Sequence, residues 1–222
     1  MKKVLIIAFV IVAQVTFSQV TKNLGDFNEI EVFDQLNVKL IPASENKAVI
    51  TGNRENEVEL VNNNGELKLR MPFPKLLSGD DISINLYFIS IDAISASEGS
   101  YVSSESIFKQ TIMDLNAREG AEINIKLDTQ KVNIKAVTGG IIGLSGEVIN
   151  QDATIMSGGV LNSRDLITSQ TSINVYAGGN AEINASTLVD AKVKAGGSVY
   201  IYGKPRQINK ETLFGGKIIE KE

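Results

Sequence analysis

Glycine returns to this chain at nearly equal intervals, and that rhythm restricts the fold more than any other feature. Clusters of small residues occur at Ser97-Glu98-Gly99-Ser100, Arg118-Glu119-Gly120-Ala121, Thr138-Gly139-Gly140, Ser157-Gly158-Gly159, Ala177-Gly178-Gly179, Ala195-Gly196-Gly197 and Phe214-Gly215-Gly216. Counted from Gly99 through Gly120, Gly140, Gly159, Gly179, Gly197 and Gly216, the steps are 21, 20, 19, 20, 18 and 19. Between the clusters polar and apolar residues alternate, as in Val132-Asn133-Ile134-Lys135-Ala136 and Ala181-Glu182-Ile183-Asn184. Alternation with period two is the mark of a strand with one buried face. A period near 20 residues, built of strands and turns alone, predicts a β-solenoid. Its coils stack about 4.8 Å apart, so equivalent apolar residues form continuous rows through a narrow core. Glycine suits a recurring corner because it accepts positive φ and allows neighbouring coils to approach closely.

The part before residue 90 alternates without the glycine rhythm. Glu29-Ile30-Glu31-Val32, Asn37-Val38-Lys39-Leu40, Glu57-Val58-Glu59-Leu60, Glu66-Leu67-Lys68-Leu69 and Ile82-Ser83-Ile84-Asn85-Leu86 each read as a strand. Asn62-Asn63-Asn64-Gly65 predicts a tight hairpin turn between two of them. Pro72, Pro74, Ser78 and Gly79 mark a longer loop. The expectation is a short antiparallel region over 25–90, followed by a parallel β-helix-like stack of about six coils over 91–217. The early hairpins would cap one end of the stack. The charged tail from Pro205 to Glu222 would blunt the other.

Ahead of the strands lies a segment of a different kind. Lys2 and Lys3 precede an apolar run from Val4 to Val15, and Thr16-Phe17-Ser18 supplies a cleavage-type ending. This predicts a signal peptide over 1–18, with Gln19 as the new N-terminus. The run is shorter than the roughly 20 residues of a spanning helix, so no membrane span is expected after cleavage. An exported location follows: periplasmic, outer-membrane-associated or extracellular. With no Cys in the chain, stability outside the cytoplasm has to come from burial and backbone pairing.

Several function classes lose their usual tools. The net charge is −4 with scattered basic residues, which argues against a nucleic-acid partner. There is no His, so the commonest general base and transition-metal ligand is missing. No Gly-rich segment leads into Lys-Ser/Thr or a helix, as a phosphate cradle would require.

The order of these features resembles a known family, the putative auto-transporter adhesin, head GIN domain family of Gram-negative envelope proteins. The resemblance rests on Asp26-Phe27-Asn28-Glu29-Ile30-Glu31-Val32, the Asn37–Leu40 strand and Asn64-Gly65-Glu66-Leu67-Lys68-Leu69. It continues through Ile91-Asp92-Ala93-Ile94-Ser95-Ala96-Ser97-Glu98-Gly99-Ser100, the Gly-Gly repeats and Gly215-Gly216-Lys217-Ile218-Ile219. It covers nearly the whole of 19–222, which would be the head GIN domain. It implies a β-helix-like stack with a role in adhesion or envelope interaction, and it brings no catalytic residues.

Four groups of residues carry side chains capable of binding or catalysis. Asp80-Asp81 could ligate calcium, but the spaced Asp/Asn series of a calcium loop is absent, so a solvated loop tip is expected. Asp114, Arg118, Glu119, Asp152, Arg164 and Asp165 could meet across coils as in a polysaccharide-acting β-helix enzyme. Asp152 lies seven residues before Gly159 and Arg164 five after it, so they need not share a row. Asn124, Asn133, Asn150, Asn174, Asn184 and Asn209 could form a sugar-binding ladder, although outward-facing or corner-satisfying Asn is the simpler reading. Tyr176, Tyr200 and Tyr202 could stack on a sugar ring or meet a protein. No catalytic, cofactor-binding or metal-binding residue is assigned, and no cofactor is expected. The expected function is a non-enzymatic binding or adhesion module that contacts a surface glycan or an envelope protein through a solenoid face. The alternatives are a self-assembling structural or regulatory envelope protein, with a homo-oligomer, and, third, a polysaccharide-acting enzyme.

Overall fold

A computed structural model describes residues 19–222. The expected signal peptide, residues 1–18, lies outside the described residues. The described chain is a β-solenoid of about seven turns with coils of about 19 residues. Five strands run almost a full coil each: β9 (Tyr101–Arg118), β10 (Glu122–Val137), β11 (Ile141–Met156), β12 (Val160–Tyr176) and β13 (Asn180–Lys194). Shorter strands precede them: β1 (Val20–Asn23), β2 (Glu29–Val32), β3 (Asn37–Pro42), β4 (Lys47–Thr51), β5 (Glu59–Asn63), β6 (Glu66–Arg70), β7 (Ser83–Phe88) and β8 (Ala93–Ala96). The chain closes with β14 (Ser198–Tyr202), β15 (Gln207–Leu213) and β16 (Lys217–Glu220).

Each long strand turns from one face to another partway along. In β10 the buried residues are Ile123, Ile125, Leu127 and Thr129, then Val132, Ile134 and Ala136. The phase changes at Gln130 and Lys131, two successive residues outside the buried set, and there the chain bends. The first face stacks β1, β4, β7, β3, then the opening parts of β9 to β13, then β14 and β16. The second face stacks β5, β6, β2, β8, then the closing parts of β9 to β13, then β15.

The glycine corner is a stacked turn in which two successive residues have positive φ. In Thr138-Gly139 these are 50° and 75°, and in Ser157-Gly158 they are 49° and 75°. Gly140 donates to Val137 O at 2.9 Å and closes the turn, while Gly139 donates to Ser157 O of the next coil at 3.2 Å. The two glycines of a pair therefore do different work. The first takes the left-handed conformation. The second, as at Gly140, sits where a Cβ would run into the Ala117 carbonyl of the coil below.

The N-terminal part supplies the expected antiparallel pairs, β1 with β4, β4 with β7 and β5 with β6. It also joins the parallel stack, because β2 pairs with β6 and β8, and β3 with β7 and β9. The coil of β2 and β3 thus lies between the coil of β6 and β7 and the coil that opens with β8. Spatial order departs from chain order here, and the antiparallel strands β1, β4 and β5 finish that end.

At the opposite end two of the inward rows stop at charges, while others end in Ile208 and Ile218. The inward row Ile134, Ala153, Ile173, Ala191 continues to Lys210, and the row Ser163, Ile183, Ile201 continues to Glu220. Lys210 Nζ donates to Glu220 Oε1, so an ion pair spans the mouth of the core. Inward-pointing charge on a terminal strand discourages pairing with another chain.

One polar cluster lies inside the core. Gln151 Nε2 donates to Ser163 Oγ at 3.0 Å, and Thr171 Oγ1 donates to Gln151 Oε1 at 3.1 Å. Ser163 and Thr168 hydroxyls donate to the carbonyls of Glu182 and Asn184 at 2.8 and 2.9 Å. Here β12 slips against β13, from Ser163↔Ile183 to Ile167↔Asn184. The slip interrupts the backbone ladder, and the buried hydroxyls satisfy the carbonyls it leaves.

A carboxylate stack marks the glycine corner near the N-terminal end. Asp34, Glu98 and Glu119 hold equivalent turn positions with φ of 60°, 57° and 55°. Burial, then the neighbouring Asp34 charge, raises the Glu98 carboxyl above its ordinary value. A raised folded-state value means that protonation favours the fold. The contribution is fully present below the unfolded-state pKa and is lost as pH rises through the folded value. Glu98→Gln removes the charge and is expected to raise the thermal midpoint at about pH 7.5 by roughly 2 °C, with little change at about pH 4. Melting curves at the two pH values check this, and an equal shift at both would contradict it.

Candidate binding face

The second face carries a regular lattice of polar side chains. Strand pairing aligns one outward column as Ala93, Asp114, Asn133, Asp152, Ser172, Asp190 and Asn209. The neighbouring column reads Ser95, Asn116, Lys135, Thr154, Asn174, Lys192 and Glu211. Successive rungs are about 4.8 Å apart, the spacing of paired strands. The two columns line a groove of about 570 Å3 that extends from Ala93 and Ser95 to Ser172 and Asn174. Leu115, Ile134 and Ala153 lie beneath the polar side chains in its floor.

Both groove aspartates already have partners. Asn133 Nδ2 donates to Asp114 Oδ1 at 2.6 Å. Lys131 Nζ lies 2.7 Å from Asp152 Oδ2. Lys135 stands on the rung between the two Asp residues. Asn116 Oδ1 is buried without a hydrogen-bond partner, as is Nε of Arg118 two residues further on. What the groove offers is a set of amides and hydroxyls at fixed spacing, with Asp and Lys side chains on adjoining rungs. Such a surface can exchange hydrogen bonds with a polyhydroxylated ligand.

The six Asn residues do not make one ladder. Asn133 and Asn209 share one column of the second face, and Asn174 stands in the other. Asn124 is on the first face, paired with Ser103 and Gly143. Asn184 is also there, paired with Tyr202. Asn150 stands at the bend, between Lys131 and Gln170.

The acidic and basic candidates for catalysis are likewise dispersed. Asp114 and Asp152 are in one column, with Asn133 between them. Asp165 pairs with Ser145 elsewhere on the coil, and Glu119 is in the glycine corner. Arg164 lies 4.6 Å over the Tyr202 ring, far along the chain from Asp152's row. Lys221 similarly covers Tyr200 at 5.1 Å. Tyr176 is on the second face beside Lys194. Asp81 is held by Arg54 at 3.2 Å and by Asn53 at 3.2 Å, and the Arg54 hydrogen bond lowers its carboxyl pKa. Among the described residues no group of three or more Asp and Glu side chains is placed to hold a metal ion. No helix among them is long and apolar enough to cross a membrane.

The stack of coils, with a polar lattice on one side, defines a β-solenoid protein. By sequence, the chain belongs to the family described as putative auto-transporter adhesin, head GIN domain, whose model matches residues 26–205. Membership of an adhesin family implies an envelope or surface location. Solved structures share the fold. A putative adhesin from Bacteroides fragilis NCTC 9343 has a TM-score of 0.83 at 18% identity, covering 94% of this chain and 98% of that one. Putative adhesins from Parabacteroides distasonis ATCC 8503 and Parabacteroides merdae ATCC 43184 have TM-scores of 0.76 and 0.70, at 18% and 14% identity. Coverage in both is again 94% of this chain and 98% of the other. No curated protein matches the chain.

Proposed function

We propose that this chain is a non-enzymatic, exported adhesion module that holds a surface glycan along the second face of its solenoid. The two-column lattice over the 570 Å3 groove carries this reading. Its rungs repeat at strand spacing, as the binding sites for a linear polymer would. Its side chains are mostly hydrogen-bonding groups, over a rigid floor that needs no reordering on binding. The dispersed carboxylates give no paired acid and base. End-to-end self-assembly is the weaker reading because Lys210 and Glu220 point inward at the exposed terminal coil.

A glycan-array screen of residues 19–222, run beside light scattering on the same sample, tests the proposal. The expected result is reproducible binding to a related set of glycans. Asn116→Ala with Thr154→Ala should weaken it about tenfold, as the loss of two hydrogen bonds predicts. Asn162→Ala on the first face should leave it unchanged. Binding that ignores the groove variants would sink the assignment of this face. A stable oligomer without glycan signal would favour the assembly role.

A further inference from the structure

The loop between β6 and β7 presents an apolar tip to solvent. Phe73 is 86% exposed, Leu76 51% and Leu77 54%. Isolated exposed apolar residues are ordinary on a protein surface, but three within five positions form a patch. Its backbone is held firmly. The buried carboxylate of Asp34 accepts the amides of Met71 at 2.9 Å and Leu77 at 2.8 Å, one on each side of the tip. Lys75 donates its amide to Pro72 O at 2.7 Å, and Arg54 donates to Ser78 O. A buried carboxylate is thus committed to holding apolar side chains in water.

We propose that this tip inserts into a lipid surface and seats the solenoid end-on against it. Two observations favour lipid over a shaped protein partner. Phe73 protrudes, with almost nothing of this chain around it, which suits a fluid apolar phase. The tip also belongs to the end coil beside the strand layer that finishes in β1. The nearby cations are already paired: Lys75 with Glu57 at 2.7 Å, Arg70 with Glu59 at 2.9 Å and Lys68 with Glu31 at 2.9 Å. Insertion therefore depends on apolar burial and not on anionic headgroups.

The chain contains no Trp, so Phe73→Trp in residues 19–222 gives a reporter at the tip alone. Its emission should shift to the blue on protein-free phosphatidylcholine vesicles, and equally on vesicles containing phosphatidylglycerol. Ile149→Trp, at a site on the bend that is 53% exposed, should not shift. In co-sedimentation, Phe73→Ser with Leu76→Ser should lower vesicle binding at least about tenfold, with an unchanged circular dichroism spectrum. No shift on protein-free vesicles would overturn the proposal. So would an equal shift at Ile149→Trp, or a strict need for anionic lipid. A response only to native membranes that retain their proteins would replace lipid with a protein partner.

Discussion

Gly146→Ala is expected to lower the thermal midpoint by about 10 °C. Gly146 lies in β11 just past the register shift between Gly143 and Ser145, with φ of +107°. An L-residue is strained at that angle whatever space surrounds it. Space is lacking as well. A Cβ there would strike the Leu127 carbonyl oxygen of the coil below and come within 3.2 Å of its amide nitrogen. The obstacle is backbone, part of the same ladder that fixes coil spacing, so it cannot swing aside. The two terms together are worth roughly 3–5 kcal/mol. Gly158→Ala is the informative comparison. It shares positive φ at 75°, but nothing lies within 4 Å of its Cβ position. It should cost about 1 kcal/mol, the conformational term alone. Thermal melts of the pair separate strain from collision, and equal losses would show that collision adds nothing.

Asp34→Ala should destabilise the fold by a similar amount. The side chain is 1% exposed and its two oxygens accept the Met71 and Leu77 amides. Alanine would leave both donors facing a void, at roughly 1–3 kcal/mol each. It would also occupy a φ of 60° that Asp tolerates better than Ala. Asp34→Asn keeps one acceptor oxygen and the shape, so it should fall between the wild type and Asp34→Ala. Chemical denaturation of the three proteins gives the order. Equal stability of Asp34→Ala and the wild type would mean that the loop amides find water instead. Hydrogen exchange at Met71 and Leu77 would then rise without a change in global stability.

The repeat was readable because one physical need, a tight corner every coil, recurs with the same chemistry. The lattice on the second face was harder to read, because its residue types change from coil to coil and only their phase repeats. Counted from the first glycine of each pair, Asp114, Asn133, Asp152, Ser172, Asp190 and Asn209 all lie six residues before Gly120, Gly139, Gly158, Gly178, Gly196 and Gly215. Counted from the second glycine, the later five keep a common offset of seven, and only Asp114, whose corner holds the single Gly120, falls out of line. The positive φ of the first glycine makes it the true phase marker. No such signal orders the N-terminal coils. Ile30, Leu67 and Ile94 share one row, yet alternation tells only which way a side chain points, never which strand lies beside it. Asp34 was equally silent, because a buried carboxylate that serves two distant amides looks like any turn aspartate. The tip at Phe73 lay inside a loop recognised only by its Pro and Gly.

Because Lys210 and Glu220 close the mouth of the core, the rod can change length only from within. Of the long strands, β10 and β11 pair without a register shift, so a coil duplicated there leaves the apolar rows continuous, whereas β12 and β13 are matched through their slip. A further coil laid upon β15 and β16 would instead trap both charges beneath apolar neighbours, where such a pair returns little for the hydration it loses. The terminal coil therefore acts as a stopper that is carried outward as the rod grows, and it keeps its charges at the surface whatever the number of coils behind it.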